Sequence, residues 1–495
     1  MIKQKPQKEN WLAHSSALAP ESSQIINRHQ GLKMLLKERR IFPTPWHWCV
    51  HGLGLGQEVI GFDPKKSDRL LEISLALFQK TKSDYHAFIH HLLHGIVAKC
   101  NTLSTSDCNA QQRAHEQFAT AIKHLPTEIW HHARAIALLT ESLVKLGQIE
   151  TYRDDVHKHL EMAFQEVAVL DVASDKLRYE KLQLFANLLL AAGQAGFSNL
   201  LGARQQNGDT YVDTALQLAT TISDVFYRGR GSAVIFSVLA IIGYGEQVCS
   251  EQQNHLQTLL DILDSELSHS STRSGDGVHE GVDYYIFPLS LLLNAIALLE
   301  RPDYLTYKRD WVQQTVSFFH LLSPASQASQ ITFFIYALDN LGVLDVYVPD
   351  VVTFFYECMT VYLKSTDGSG VDDYLRCTYL IHLAYQLGRT DILDPRVWSI
   401  LLDSATQTPG SQRYLESTYG SSYMIAAYAL SAFDRASQLD ELFSERLSLP
   451  DAISRFKDDP KSTEIHSPKT AFALIETGLR MRPIESCDTP LFSNI

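Results

Sequence analysis

The segment Asp107-Cys108-Asn109-Ala110 places a carboxylate and an amide two positions apart, where a helical pattern begins. Alone it predicts a helix N-cap with a polar first turn. An aspartate at position 109 would give the pair a chemical use. A carboxylic acid that a desolvated cavity keeps neutral, and that a neighbour such as Asp107 orients, can act as a general acid. Since the Asn109 amide donates no such proton, either the pattern is accidental or the chain carries an acid-to-amide change.

Two further carboxylate pairs precede apolar runs. Glu280 lies near Asp283, and Asp372 is followed by Asp373. Two carboxylates at one end of a helical barrel could serve a glycosidase as acid and as base or nucleophile. Capping of a helix start is the simpler interpretation of each pair.

Histidines supply the only metal-like spacing. His90 and His91 precede His94 by four and three residues, so either could share a helix face with it. His-Glu-x-x-His is absent, as are Cys-x-x-Cys, phosphate-binding glycine loops and Gly-x-Ser-x-Gly. We therefore expect no metal and no cofactor.

The composition narrows the class of protein. The chain has 495 residues and a formal net charge of −13, which disfavours nucleic acid as a partner. Its seven cysteines are scattered, which is typical of reduced thiols in a cytoplasmic protein. The first residues lack an apolar signal core, and the longest apolar run is too short to span a bilayer.

Short Gly/Ser breaks recur roughly every 45–50 residues, each before an apolar run with helical spacing. The breaks are Gly229-Arg230-Gly231, Gly275-Asp276-Gly277 with Gly281, Ser323-Pro324-Ala325-Ser326, Gly368-Ser369-Gly370 and Gly420-Ser421-Ser422. Strongly apolar and amphipathic helices alternate, and β-strand patterns are lacking. The pattern predicts an all-α protein: an α/α barrel, or toroid of helical hairpins, with inner and outer helix rings.

This pattern also predicts the domain organisation. We expect an N-terminal extension at residues 1–67, one barrel domain at 68–440 and a C-terminal extension packed on the barrel at 441–495. The inner helices would start at one end, so the breaks would gather at one mouth of the barrel. Two helices are predicted at Val212–Phe226 and Ser232–Ile242, on either side of the break at residues 229–231.

The chain as a whole resembles the single-domain class II terpene cyclases of the merosterolic acid synthase type. The segment at 107–110 is similar to their Asp-x-Asp-Asp motif, in which the third position is the proton donor; Asn109 and Ala110 depart from it. The resemblance implies a metal-free isomerase that folds a geranylgeranylated aromatic acid and cyclises it through a carbocation cascade. It assigns the catalytic position to Asn109, with Asp107 beside it.

Such a cascade needs aromatic faces that stabilise cations. The predicted substrate-binding residues are Trp398, Tyr284, Tyr285, Phe287, Phe333, Tyr374 and Tyr423. The expected partner is a lipophilic prenylated small molecule, with peripheral membrane contact as a route of uptake. Two alternatives stay open: a carbohydrate-active α/α-barrel hydrolase or lyase, and a helical-repeat binding scaffold.

Overall fold

The structure, a computed structural model, describes residues 82–400 and isolated positions between 68 and 79. Gaps within this range are residues 106–107, 206–207, 251–252, 273–277, 308, 321, 367–372, 387–388 and 398. Both predicted extensions and residues 401–440 of the predicted barrel domain lie outside the described residues.

The described chain is built from long helices joined by short connections. They are α1 Asp84–Thr105, α2 Cys108–Lys123, α3 Ile129–Lys145, α4 Arg153–Val169, α5 Asp175–Gln194, α6 Tyr211–Thr221, α7 Val225–Ile241, α8 His255–Thr272, α9 Val278–Leu298, α10 Arg309–Phe319, α11 Pro324–Asn340, α12 Val351–Ser365 and α13 Asp373–Gln386. Among the described residues, no β-strand occurs apart from two isolated bridges. The all-α prediction is confirmed.

Inner and outer helices alternate along the chain. The odd-numbered helices α3 to α13 pack each on the next odd-numbered helix, while most even-numbered helices pack on an inner neighbour. The inner helix α7 shows why: it is apolar on nearly all sides, and its residues from Ser232 to Leu239 are buried. A helix without a polar face has to be covered all round. No described helix is long and apolar enough to cross a membrane.

The inner helices end in one repeated turn. A residue with positive φ follows each of five helices: Gly147, Gly196, Gly243, Glu300 and Gly342. The next N–H bonds back to a carbonyl in the last helical turn, as Gln148 N does to Leu143 O at 2.7 Å and Tyr244 N to Leu239 O at 2.7 Å. This is the Schellman motif, which favours glycine because the left-handed conformation has little room for a Cβ. Equivalent register positions of the inner helices are counted back from the residue with positive φ in this turn.

The predicted break at residues 229–231 is wrong. Both glycines lie inside α7, whose N-cap is Asp224, while the preceding helix already ends at Thr221. A Cβ on Gly229 would lie 2.8 Å from Pro288 Cβ, so this glycine lets α7 approach α9 closely. Gly281 likewise lies within α9.

The break at Ser323-Pro324 is confirmed as a helix start, with Ser323 as N-cap and Pro324 in the first turn. The breaks at 275–277, 368–370 and 420–422 lie outside the described residues.

Neighbouring inner helices run parallel and in register. Arg376 near the start of α13 donates from Nε to Ser329 Oγ near the start of α11 at 3.3 Å. One turn later, Thr332 Oγ1 donates to Tyr379 O at 3.0 Å. Helices α11 and α13 therefore begin at a common end. We call the starting end of the odd-numbered helices the amino-terminal mouth.

Candidate functional site

Several polar residues at the amino-terminal mouth hold the repeat together. One register position, counted back from the glycine that follows each inner helix, carries Lys181 in α5, Arg228 in α7 and Gln327 in α11. Each donates to carbonyls at the end of the preceding outer helix: Lys181 Nζ to Leu170 O at 2.7 Å, Arg228 Nη2 to Thr220 O at 2.7 Å, and Gln327 Nε2 to Leu322 O at 2.9 Å. The ammonium, guanidinium and amide groups therefore donate hydrogen bonds to backbone carbonyls that have no partner within their own helix.

Asp373, one of the predicted mouth carboxylates, is buried at the start of α13. It accepts from Arg376 Nη1 at 2.8 Å and from Thr366 Oγ1 at 2.7 Å. Burial also raises the pKa of the nearby Cys377 thiol to about 12. This thiol is therefore neutral at physiological pH, which makes it a poor nucleophile or metal ligand.

Aromatic rings at the mouth between α5 and α7 hold a cation. The Arg230 guanidinium carbon lies 5.0 Å from the Tyr179 ring centroid and 4.8 Å from that of Phe226. Tyr227 extends this aromatic surface, with its ring 5.5 Å from Tyr179. Ring faces with this arrangement attract positive charge, and burial strengthens the attraction.

A buried ion pair lies on the inner helix α3. Glu141 and Lys145 are one turn apart, with 3.4 Å between Oε1 and Nζ and side chains only 6% and 7% exposed. His132 of the same helix bonds Glu166 of the outer helix α4 at 2.7 Å. Since an α-helix turns 100° per residue, Glu141 lies on the side of α3 opposite to His132 and α4.

The repeat itself does not require this pair. Leu190 of α5 and Ser237 of α7 occupy the register position of Glu141, and both are buried without a charge. The pair was missed in the sequence because Glu followed by Lys four residues later usually marks a solvated helix face. Its position inside an apolar run was the available signal.

The histidine cluster of α1 is hydrogen-bonded within the fold. His90 Nδ1 lies 2.8 Å from Ser74 Oγ, and His91 Nδ1 lies 2.9 Å from Gln117 Oε1. Burial, and then His91 and His94, lower the pKa of His90 to about 4. The described part of the chain contains no group of three or more side chains placed to hold a metal ion.

Asn109 lies in the first turn of the outer helix α2, and its side chain is exposed. That turn follows the end of α1, so it lies at the opposite end of the hairpin from the amino-terminal mouth. The described structure thus gives position 109 no desolvated cavity.

The predicted aromatic residues lie elsewhere. Phe333 is buried on α11, edge-on to Tyr379 with centroids 5.2 Å apart. Tyr284, Tyr285 and Phe287 belong to the first half of α9 and Tyr374 to the start of α13, although their side chains are not described. Asp107, Trp398 and Tyr423 lie outside the described residues. The structure does not bring Asn109 together with the aromatic positions that it describes.

Comparison with known proteins gives no relative. No protein-family model matches the chain, and neither a curated protein nor a solved structure matches it. The function is therefore argued from the fold and the site.

Proposed function

We propose that the hairpins close into an α/α barrel whose interior holds a lipophilic small molecule. The burial of the concave side carries this proposal. On the side that the helical period turns away from the outer helices, the equivalent residue is at most 8% exposed on five inner helices (Leu138, Val234, Leu291, Phe333 and Tyr379), while Asn187 of α5 is half-buried. An open superhelical scaffold exposes this side as its binding surface. The buried concave side therefore supports a closed ring over the scaffold alternative.

Small-angle X-ray scattering on the full chain tests closure. A compact chain of this length has a radius of gyration of about 23 Å. A clearly larger value, with the elongated distance distribution of an open superhelix, would contradict a closed barrel.

We propose class II terpene cyclisation as the activity, with a geranylgeranylated aromatic acid as substrate. Two features support it. A closed interior would exclude water, which would otherwise quench a carbocation. The Tyr179 and Phe226 rings already bind the Arg230 cation, so faces suited to a migrating positive charge are present in the fold.

The exposure of Asn109 counts against that position as proton donor. A carboxylic acid stays neutral through desolvation, which an exposed helix start does not supply. Glu141 is a buried carboxylate on the concave side, balanced by Lys145. We assign it the role of proton acceptor at the end of the cascade.

Incubation with a geranylgeranylated dihydroxybenzoate tests the activity. Cyclisation is an isomerisation, so the product keeps the substrate mass and changes its chromatographic retention. We expect Asn109→Asp to form product if position 109 is the donor, and Glu141→Gln to lower its yield. If Asn109→Asp binds the substrate but forms no product, position 109 is not the proton donor. If it neither binds the substrate nor forms product, the cyclase proposal is refuted.

The carbohydrate-active alternative depends on Glu280, Asp283 and Asp372, whose side chains the structure does not describe. The neighbouring Asp373 is buried and paired with Arg376, so it is not an accessible acid. Release of reducing sugar from plant or bacterial polysaccharides by the wild-type chain would favour this alternative.

A further inference from the structure

A small pocket lies on the outer side of α7, between the outer helices α6 and α8. Its cavity volume is about 60 Å³. Since one water occupies about 10–15 Å³ on this measure, the pocket has room for about five non-hydrogen atoms. It lies on the opposite side of α7 from the concave face, so it is separate from the proposed barrel interior.

The pocket exists because one residue of the repeat is small. Ser232 forms part of its floor and is buried. The same register position carries a large buried side chain in four of the other inner helices, Ile136, Phe185, Leu289 and Ile331, and the smaller Cys377 in α13. A side chain of that size at position 232 would occupy part of the pocket that the serine leaves open.

The lining combines apolar and polar residues. Phe236, Leu216 and Leu259 are buried in the wall, and they would pack against carbon atoms. The polar residues of the lining are Arg228 and Ser232 of α7 together with Thr220, Gln253, His255 and Thr258. Arg228 Nη2 donates a hydrogen bond to Thr220 O, and the guanidinium has four further N–H donors.

The remaining polar lining suits the same ligand. His255 borders the pocket, and burial lowers its pKa while the charge of Asp213 opposes that shift, so the ring is neutral at physiological pH. Arg228 is then the one formally charged group in the lining, all of which is described. A single positive charge beside an apolar wall matches a single negative charge on a short carbon body.

We propose that this pocket binds a short-chain monocarboxylate, with its carboxylate at Arg228 and its alkyl body against Phe236. Phosphate would present oxygen atoms to the apolar wall. A neutral amide of the same shape would lose the charge-assisted hydrogen bonds to the guanidinium.

Saturation-transfer NMR on the full chain tests the proposal with propionate and propionamide as probes. Phosphorus-31 line broadening tests inorganic phosphate, which has no carbon-bound proton. We expect saturable propionate binding with Kd on the order of 1 mM, given so few atoms. Propionamide should bind at least about tenfold more weakly, because it lacks the charge.

The repeats supply matched variants. Ser232→Ile installs the residue found at 136 and 331, and it should abolish binding while the thermal midpoint stays equal or rises. Arg228→Gln installs the residue found at 327, which keeps the bond to the outer helix and removes the charge; it should weaken binding at least about tenfold.

Unchanged propionate binding by Ser232→Ile would overturn the proposal. So would equal binding of propionamide, or binding of phosphate without propionate. If Arg228→Gln does not fold, Ser232→Ile decides alone, since it retains Arg228.

Discussion

Gly231 of α7 faces Leu182 of α5 so closely that a Cβ on the glycine would lie 2.7 Å from Leu182 Cδ2. Real Cβ atoms essentially never show this distance, so a side chain at position 231 would require the buried Leu182 side chain to shift. The same contact region includes Tyr179, whose ring lies over Arg230.

Gly231→Ala should therefore destabilise the protein, although alanine favours helices. We expect a loss of about 1–3 kcal/mol in the free energy of unfolding, the usual range for overpacking. Urea denaturation followed by circular dichroism measures it. Gly202→Ala is the matched control, because its nearest contact would be an ordinary 3.5 Å, and it should be close to neutral. Equal effects of both changes would contradict the close-packing role.

The ion pair Glu141–Lys145 should respond differently to single and double changes. Glu141→Leu alone leaves a buried ammonium without its carboxylate and should cost about 3–5 kcal/mol of unfolding free energy. The double change Glu141→Leu with Lys145→Met removes both charges and should be neutral or stabilising by about 1–4 kcal/mol. Denaturant titration compares the three chains. A double variant as unstable as the single one would show that the fold needs the pair.

The histidines of α1 should lower the free energy of unfolding as the pH decreases. The folded pKa of His90 is about 4, below the ordinary value of 6.5, so the unfolded chain binds more protons between these values. His94 shifts in the same direction. The contribution of these histidines to the free energy of unfolding is fully present above pH 6.5 and is lost as the pH falls towards 4.

The expected loss at His90 is about 1–2 kcal/mol, since the ring is only half-buried and water screens part of the effect. Thermal melts of the wild type and of His90→Gln at pH 7.0 and 5.5 measure it. The variant cannot titrate at this site, so its melting temperature should fall less between the two pH values. An identical fall would assign the acid sensitivity to other groups.

Two buried thiols should be inert in the folded protein. Burial raises the pKa of both Cys358 and Cys377 to about 12, so neither forms appreciable thiolate at pH 8. Iodoacetamide at pH 8, followed by peptide mass spectrometry, should leave both unlabelled. Labelling in guanidinium chloride is the control and should reach completion. Fast labelling of Cys377 in the folded chain would contradict its burial.

Much of the fold was readable in the sequence because helical periodicity and capping are local. The spacing of apolar residues predicts an all-α chain, the break at Ser323-Pro324 predicts a helix start, and the structure confirms both. The local sequence also led to one wrong prediction, the helix break at residues 229–231. Gly229 and Gly231 look like a turn, but their contacts with α9 and α5 keep them inside α7.

The site depended on facts that are not local. Asn109 was singled out for its residue type, but its exposure follows from α2 being an outer helix. Ser232 and Glu141 looked ordinary in the sequence. The first opens a pocket because larger residues fill its register position in other repeats, and the second is buried because its helix lies inside. The sequence alone thus determined an all-helical repeat, since backbone hydrogen bonding and capping act over a few residues. Tertiary packing decided which polar side chains lose contact with water, because burial depends on helices that are distant along the chain.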